Sequence, residues 1–192
     1  MKFKLFGIEF EISFLFTAVL ALIVATDKTG NIFLFFAASA IHEAAHLFAM
    51  YFVKAKPSAV KLIPGGINIV DKSVKTPMED ILILASGPIA NLICYFIFNN
   101  DFSALSLLLF IYNMLPISGL DGGRIAHILF SKLFSICTAD RLMTVLTVVA
   151  SAAFALIFIY LLLNGIENYS VLIFSLYIIS TIFFKKGVER KS

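Results

Sequence analysis

Charged side chains are scarce in this sequence. Only 14% of its 192 residues are Asp, Glu, Lys or Arg, whereas 60% are hydrophobic, and the mean hydropathy is +0.99. A soluble domain of this length needs far more polar surface to cover its core, so the composition excludes an ordinary soluble protein and indicates a membrane protein. The length predicts a single integral membrane domain over residues 1–192.

Cysteine and histidine are also scarce, and the net charge is small. The two cysteines, Cys94 and Cys137, have no metal-binding spacing and give no disulfide framework. The three histidines are too few for the several histidine boxes of a membrane diiron hydroxylase. The formal net charge of +3 is too small to indicate a nucleic-acid partner.

Six apolar segments follow one another along the chain, and about 20 apolar residues suffice to cross a bilayer. The second, third and fifth segments are long enough to span outright, whereas the first and last are short. The fourth is interrupted in its second half by Pro116 and several glycines. The segments run approximately over Ser13–Ala25, Ile32–Phe52, Ile81–Phe98, Phe102–Phe130, Leu142–Leu163 and Tyr169–Phe184.

The positive charges support six spans. With six spans and a cytoplasmic N-terminus, all of the 15 Lys and Arg residues except Lys28 fall on the cytoplasmic side. This asymmetry agrees with the positive-inside rule. It predicts a multi-pass protein with both termini in the cytoplasm, in a bacterial cytoplasmic-type membrane.

Two further stretches have a β pattern. Residues 2–12 alternate with period two around Gly7, which is typical of a short amphipathic strand or hairpin that is retained at the membrane surface. Ala59–Leu62 and Ile67–Val70 flank Pro64-Gly65-Gly66, which predicts a hairpin with a glycine turn. The predicted fold is therefore an all-α membrane protein, a bundle of six transmembrane helices with a small β hairpin or sheet element at the membrane surface.

The second apolar segment contains the sequence His42-Glu43-Ala44-Ala45-His46. On a helix, residues four apart lie on one face, so both imidazoles can reach a single ion, with Glu43 beside them. Within the apolar segments an ionisable side chain is costly unless it has a function and a partner. The pattern therefore indicates a catalytic zinc site.

Catalytic zinc sites keep three protein ligands, so a third ligand is needed. Acidic residues near the histidines in sequence lie among lysines in a polar loop and are expected to be solvated: Asp71, Glu79 and Asp80. Asp121 is the other candidate. At ~1.5 Å per residue, His46 and Asp121 lie roughly 12 and 16 Å from the cytoplasmic ends of their spans, at a shared level. Pro116 and the glycines beside Asp121 are expected to unwind the helix locally and turn the carboxylate towards the ion.

Three sequence elements together resemble the site-2 protease family of intramembrane metalloproteases. They are the H-E-x-x-H element, the N-x-x-P-x-x-x-L-D-G-G-R element from Asn113 to Arg124, and Gly87-Pro88-Ile89-Ala90-Asn91, which is similar to that family's G-P-x-x-N element. The resemblance covers nearly the whole chain. Its compactness brings it closest to the sporulation-type branch, although a C-terminal CBS domain, common in that branch, is not expected here.

The resemblance implies an intramembrane zinc metalloendopeptidase with one Zn²⁺ per chain. It implies metal ligands at His42, His46 and Asp121, and Glu43 as the catalytic acid and base. It also implies accessory roles in positioning substrate for Asn91 and Asn113.

Substrate presentation adds two candidate residues. The hairpin lies at the cytoplasmic end of its neighbouring spans, where an edge strand can hold an unwound substrate segment extended. The turn glycines that let the hairpin approach the site are Gly65 and Gly66. The expected partners are a single-span or membrane-associated protein substrate, such as a transcription-factor or sigma-factor precursor, the lipid bilayer and a membrane regulatory protein.

Other interpretations of these residues stay open. A small membrane cation transporter can use the same His and Asp cluster, although it has no need of Glu43. Asn91 can serve as an interhelical hydrogen-bonding contact, and Asn113 as a cap for the break at Pro116. His127 is expected to pack or to lie at the cytoplasmic interface.

Overall fold

The computed structural model describes residues 2–5, 8–12, 30–55, 57–63, 66–71 and 73–165. These residues form four strands and five helices. In chain order they are β1 (Lys2–Leu5), β2 (Ile8–Ile12), α1 (Asn31–Phe52), β3 (Pro57–Ile63), β4 (Gly66–Asp71), α2 (Pro77–Ile97), α3 (Asp101–Asn113), α4 (Asp121–Leu133) and α5 (Ile136–Leu163). The chain divides into two compact units, Met1–Tyr112 and Asn113–Ser192.

The strands of the first unit form one sheet in the order β1-β2-β3-β4. β1 and β2 are antiparallel, as are β3 and β4, whose pairing runs up to Ile63 opposite Gly66. β2 and β3 are parallel, with Glu9 opposite Ala59. A parallel pair needs a long crossover, and α1 lies within that connection. Among the described strands, β1 and β4 are therefore the edges of the sheet.

Two long apolar helices dominate the first unit. The 22 residues of α1 extend for about 33 Å, which matches the ~30 Å hydrocarbon core of a bilayer. α2 begins with a capping box, in which the Glu79 backbone N–H donates to Thr76 Oγ1 and the Thr76 N–H donates to Glu79 Oε2, and Pro77 occupies its first turn. This start satisfies backbone donors that the helix itself leaves unpaired.

α1 and α2 pack against each other in antiparallel directions. At one end Ala38 of α1 packs with Cys94 of α2, and at the other Met50 packs with Ile83. α3 adds to the first of these clusters through Phe102 and Leu109. The two histidines of α1 lie between the two clusters, where the apolar contacts hold the helices together on either side.

The second unit contains α4 and α5. α5 begins at a Ser135 cap that accepts from the Thr138 N–H, and its buried residues are small or flexible and recur every four positions: Ala139, Met143, Thr147 and Ser151. α4 packs on α5, and His127 Nε2 of α4 lies 3.0 Å from Asp140 Oδ1 of α5. This pair gives His127 a structural partner within its own unit.

The sequence-based prediction of the fold class was wrong. The described residues contain five helices rather than six spans, and three of them, α1, α2 and α5, are long and apolar enough to cross a membrane. The prediction of an all-α protein with a small β hairpin or sheet element also lacked the observed pairing, since one four-stranded sheet joins the N-terminal strands to β3 and β4.

The fourth predicted span accounts for part of the error. It is divided into α3 and α4, each of 13 residues, which is too short to cross a bilayer. Between them Pro116 removes a backbone donor, and Gly119 adopts a positive φ of 102°, so the apolar run cannot continue as one helix. The first and last predicted spans lie outside the described residues, whereas helices occur at the second, third and fifth as predicted.

Candidate metal centre

His42 and His46 lie on the buried face of α1. The buried residues of this helix recur every four positions, at Ala38, His42, His46 and Met50. His42 is 5% exposed and His46 7% exposed, while bulky side chains on the opposite side of the helix, such as Phe33 and Phe48, are open to the surroundings. Such a helix turns its aliphatic and aromatic side towards lipid and its polar stripe towards α2.

A backbone carbonyl of α2 orients His46. His46 Nδ1 lies 2.7 Å from the carbonyl oxygen of Ile83, and a carbonyl oxygen can only accept, so Nδ1 carries the proton. Ser86 Oγ also donates to the same oxygen, at 2.6 Å. The Nε2 atom of His46 is then the unprotonated nitrogen, and a neutral imidazole binds metal through its unprotonated nitrogen.

The second imidazole turns towards the same point. His42 Nε2 lies 3.0 Å from His46 Nε2, and the two rings are perpendicular, with centroids 4.6 Å apart. On the other side of the His42 ring, Nδ1 lies 3.2 Å from Asn91 Nδ2 of α2. The two Nε2 atoms therefore converge, and each ring is held from behind by a group of α2.

Gly87 of α2 faces this convergence point. A Cβ atom at this position would lie 2.5 Å from His46 Nε2 and 2.7 Å from His42 Nε2, distances that real Cβ atoms do not show. Glycine also suits the position before Pro88 in a helix, where a Cβ meets the proline ring. The missing side chain leaves room beside both nitrogens.

Glu43 borders the histidine face, which is the buried side of α1 that carries His42 and His46. At about 100° per residue it lies roughly 100° around the helix from His42 and 60° from His46. It is half-buried, in contrast to the buried histidines. A carboxylate at this position flanks the two imidazoles of α1.

Asp121 lies in the second unit, as the first residue of α4 and half-buried. The two glycines that follow it pack tightly against the preceding loop: a Cβ at Gly122 would collide with the Met114 carbonyl, and one at Gly123 with the Ile117 carbonyl. The two glycines therefore let the preceding loop pack closely on the start of α4. This packing places Asp121 as the first residue of the helix.

The loop before Asp121 is anchored to α5 by a threonine that the sequence analysis missed. The Ser118 N–H donates to Thr147 Oγ1 at 3.0 Å, and the Thr147 hydroxyl donates to the Met143 carbonyl at 2.7 Å. Thr147 is fully buried. The sequence signal for this contact is the occurrence of polar residues, Thr147 and Ser151, in the buried stripe of a largely apolar helix.

The remaining predicted residues have diverse surroundings. Asn113 is the half-buried last residue of α3, and Gly66 begins β4, whereas Gly65 lies outside the described residues. Two of the alternative acidic ligands have local partners at the start of α2: Glu79 completes the capping box, and Asp80 Oδ1 lies 3.0 Å from Lys75 Nζ. These contacts give the carboxylates of Glu79 and Asp80 structural roles that need no metal ion.

The residues of the histidine face fit a zinc ion. Two imidazoles present their Nε2 atoms together, the tautomer of one is set by a carbonyl, and a glycine leaves space in front of them. Zinc is commonly bound through a neutral imidazole nitrogen while the other ring nitrogen donates its N–H to a carboxylate, a backbone carbonyl or water.

Comparison with known proteins supports a fold assignment. No protein-family model and no curated protein sequence matches the chain. Among solved structures, it is similar to the site-2 protease from Methanocaldococcus jannaschii, with a TM-score of 0.65 over 93% of this chain and 91% of that one. The chain shares the fold of a site-2 protease. The sequence identity is 20%, so the similarity concerns the fold, and the chemistry must be argued from the residues themselves.

Proposed function

We propose that the protein is an intramembrane zinc metalloendopeptidase of the site-2 type. The observation that carries the proposal is the pair of buried histidines whose Nε2 atoms lie 3.0 Å apart, in front of a glycine, within two helices long enough to cross a bilayer. Converging buried imidazoles have little structural use, because apolar side chains would pack the same space at lower cost.

His42, His46 and Asp121 are proposed as the three protein ligands. Each residue offers one ligand atom, which is an imidazole nitrogen in the two histidines and a carboxylate oxygen in Asp121. Three protein ligands with one open position are typical of catalytic zinc sites. Zn²⁺ with ionised Glu43 and Asp121 and two neutral imidazoles sums to zero charge. A neutral cluster is far less costly to hold in a low dielectric than any one of its ions alone.

Glu43 is proposed as the acid and base of peptide hydrolysis. Bound zinc supplies Lewis-acid polarisation and makes water a stronger nucleophile near neutral pH. In this proposal Glu43 flanks the ligands without being one, and its carboxylate takes a proton from the attacking water. It then returns that proton to the leaving amine as the peptide bond breaks.

The sheet is proposed to present the substrate. A transmembrane helix hides its backbone amides, so a segment must unwind before its carbonyl can react. β4 is an edge of the described sheet, and an edge strand can bind an extended segment through main-chain hydrogen bonds. The substrate is proposed to be a single-span or membrane-associated protein, cut in the cytoplasmic part of its span.

The finer assignments belong to the same proposal. They are cytoplasmic termini, one zinc per chain, a bacterial-type membrane, and regulated proteolysis of a transcription-factor or sigma-factor precursor of the kind associated with the sporulation-type branch. A membrane cation transporter is the competing function. No contact among the described residues favours it, and it leaves Glu43 without a role.

Co-expression tests the proposal in cells. The protein is produced with a panel of tagged single-span proteins and membrane-bound transcription-factor precursors, as the wild type or as Glu43→Gln. We expect one or more substrates to be shortened by the wild type and to stay intact with Glu43→Gln at equal expression. Equal processing by both proteins would reject Glu43 as the catalytic group.

A further inference from the structure

Asn91 has a buried oxygen that the protein leaves without a hydrogen bond. The residue is 0% exposed on the inner face of α2, and its Nδ2 lies 3.2 Å from His42 Nδ1. Its Oδ1 has no partner among the described residues. A buried polar atom without a hydrogen bond costs about 1–3 kcal/mol, so its presence calls for a reason.

The metal-free hydrogen bonds form a directed chain. Asn91 donates from Nδ2 to His42 Nδ1, which places the proton of His42 on Nε2. His42 Nε2–H then donates to His46 Nε2, and His46 Nδ1–H donates to the Ile83 carbonyl. Every ring nitrogen is satisfied by this chain, and Asn91 Oδ1 is the one atom left over.

Metal binding would break the link between the two Nε2 atoms and reverse the link between Asn91 and His42. A metal at the two Nε2 atoms needs their lone pairs, so the proton of His42 must sit on Nδ1 instead. Nδ1–H then faces Asn91, where the NH₂ group cannot accept it. A half-turn of the amide exchanges its nitrogen for its oxygen, and Oδ1 becomes the acceptor at the same position.

We infer that Asn91 is a positioning residue for His42: its amide turns to accept the Nδ1–H of His42 when metal binds, and so holds that ring with Nε2 towards the ion. This inference rests on the proposed metal centre. It gives Asn91 a role different from the substrate contact that the sequence resemblance implies. The amide is fully buried and lies behind the imidazole, so its action on the metal is exerted through His42.

Two substitutions separate hydrogen bonding from packing. Asn91→Asp keeps the shape of the side chain and its ability to accept, whereas Asn91→Leu keeps much of the volume but removes the acceptor. Loss of a group that orients a ligand typically reduces metal affinity by about 10–100-fold. We expect a loss of that size in Asn91→Leu and near wild-type affinity in Asn91→Asp, measured by competition for zinc with a chromophoric chelator. Cys94→Ala, one turn further along the same buried face, is the matched control and should bind zinc normally.

Nitrogen-15 NMR of the histidine rings provides a readout that packing alone does not change. On addition of zinc to the wild type, the proton of His42 should move from Nε2 to Nδ1 and give a protected, slowly exchanging signal. In Asn91→Leu that signal should exchange rapidly with water or disappear.

The outcomes distinguish this inference from the proposed function. Wild-type protein that binds no zinc would contradict the metal centre itself. Normal zinc binding in the wild type, with an unchanged affinity and an equally protected Nδ1–H in Asn91→Leu, would overturn the role of Asn91 alone. Weak binding by Asn91→Asp comparable to that of Asn91→Leu would also overturn it, since the acceptor is then irrelevant.

Discussion

Replacing Gly87 with alanine should disable the metal centre while leaving the rest of the helix intact. The added Cβ would lie 2.5 Å from His46 Nε2, about 0.9 Å closer than the 3.4 Å at which ordinary van der Waals contact begins. Zinc–nitrogen bonds are close to 2.0–2.1 Å and tolerate deviations of only about ±0.2 Å. The imidazoles therefore cannot move away from the new methyl group and still bind the ion in the same geometry.

The size of the effect follows from this displacement. A misplacement of about 1 Å in a catalytic site can reduce the rate by about 100-fold, and we expect Gly87→Ala to lose at least that much peptide hydrolysis. Zinc affinity should fall by a similar factor, which corresponds to about 2.8 kcal/mol at ~1.4 kcal/mol per tenfold change. The assays are zinc content by mass spectrometry after dialysis and zinc affinity by chelator competition.

Helix stability is controlled separately. Alanine is the better helix former, but a Cβ before Pro88 adds steric strain, so the thermal unfolding of the metal-free variant must be compared with that of the metal-free wild type. Ile89→Phe adds volume to the exposed side of the same helix and should bind zinc normally. Full zinc content and full activity in Gly87→Ala would refute the reasoning that the two Nε2 atoms share an ion in front of this residue.

Asp121→Ala and a double valine variant of the hairpin turn test the rest of the proposed site. Asp121→Ala should reduce zinc affinity by more than the ~10–100-fold typical of an orienting group. Asp80→Ala, which removes the ion pair with Lys75, should leave zinc affinity unchanged. The reverse order would assign the third ligand to the start of α2. Valine at both Gly65 and Gly66 should impair substrate cleavage but not zinc content, and full cleavage by this variant would contradict a role for the hairpin in presenting substrate.

The spans and the histidine pair were predictable because their signals are local. The α1, α2 and α5 helices follow from apolar runs of about 20 residues, and the shared face of His42 and His46 follows from helical spacing. The prediction of one span from Phe102 to Phe130 was wrong. Composition alone does not show that the stretch around Pro116 and Gly119 separates two short helices.

Contacts between distant segments were not predictable in the same way. The parallel pairing of β2 with β3 joins residues on either side of α1, and no local pattern in the sequence identifies which strand β2 pairs with. The role of Gly87 depends on imidazoles about 40 positions earlier in the chain, and the anchoring of Ser118 by Thr147 spans 29 positions. These contacts form only when strands and helices that are distant in the sequence pack together.

Zinc content and peptide hydrolysis, measured together on purified wild-type and Glu43→Gln protein, test the central claim most directly. If Glu43 is the acid and base and not a ligand, both proteins should hold about one zinc per chain, and only the wild type should cleave a transmembrane substrate. Removing zinc with a chelator should abolish the wild-type activity, and adding it back should restore it. Loss of zinc in Glu43→Gln, or cleavage by this variant near the wild-type rate, would contradict the account.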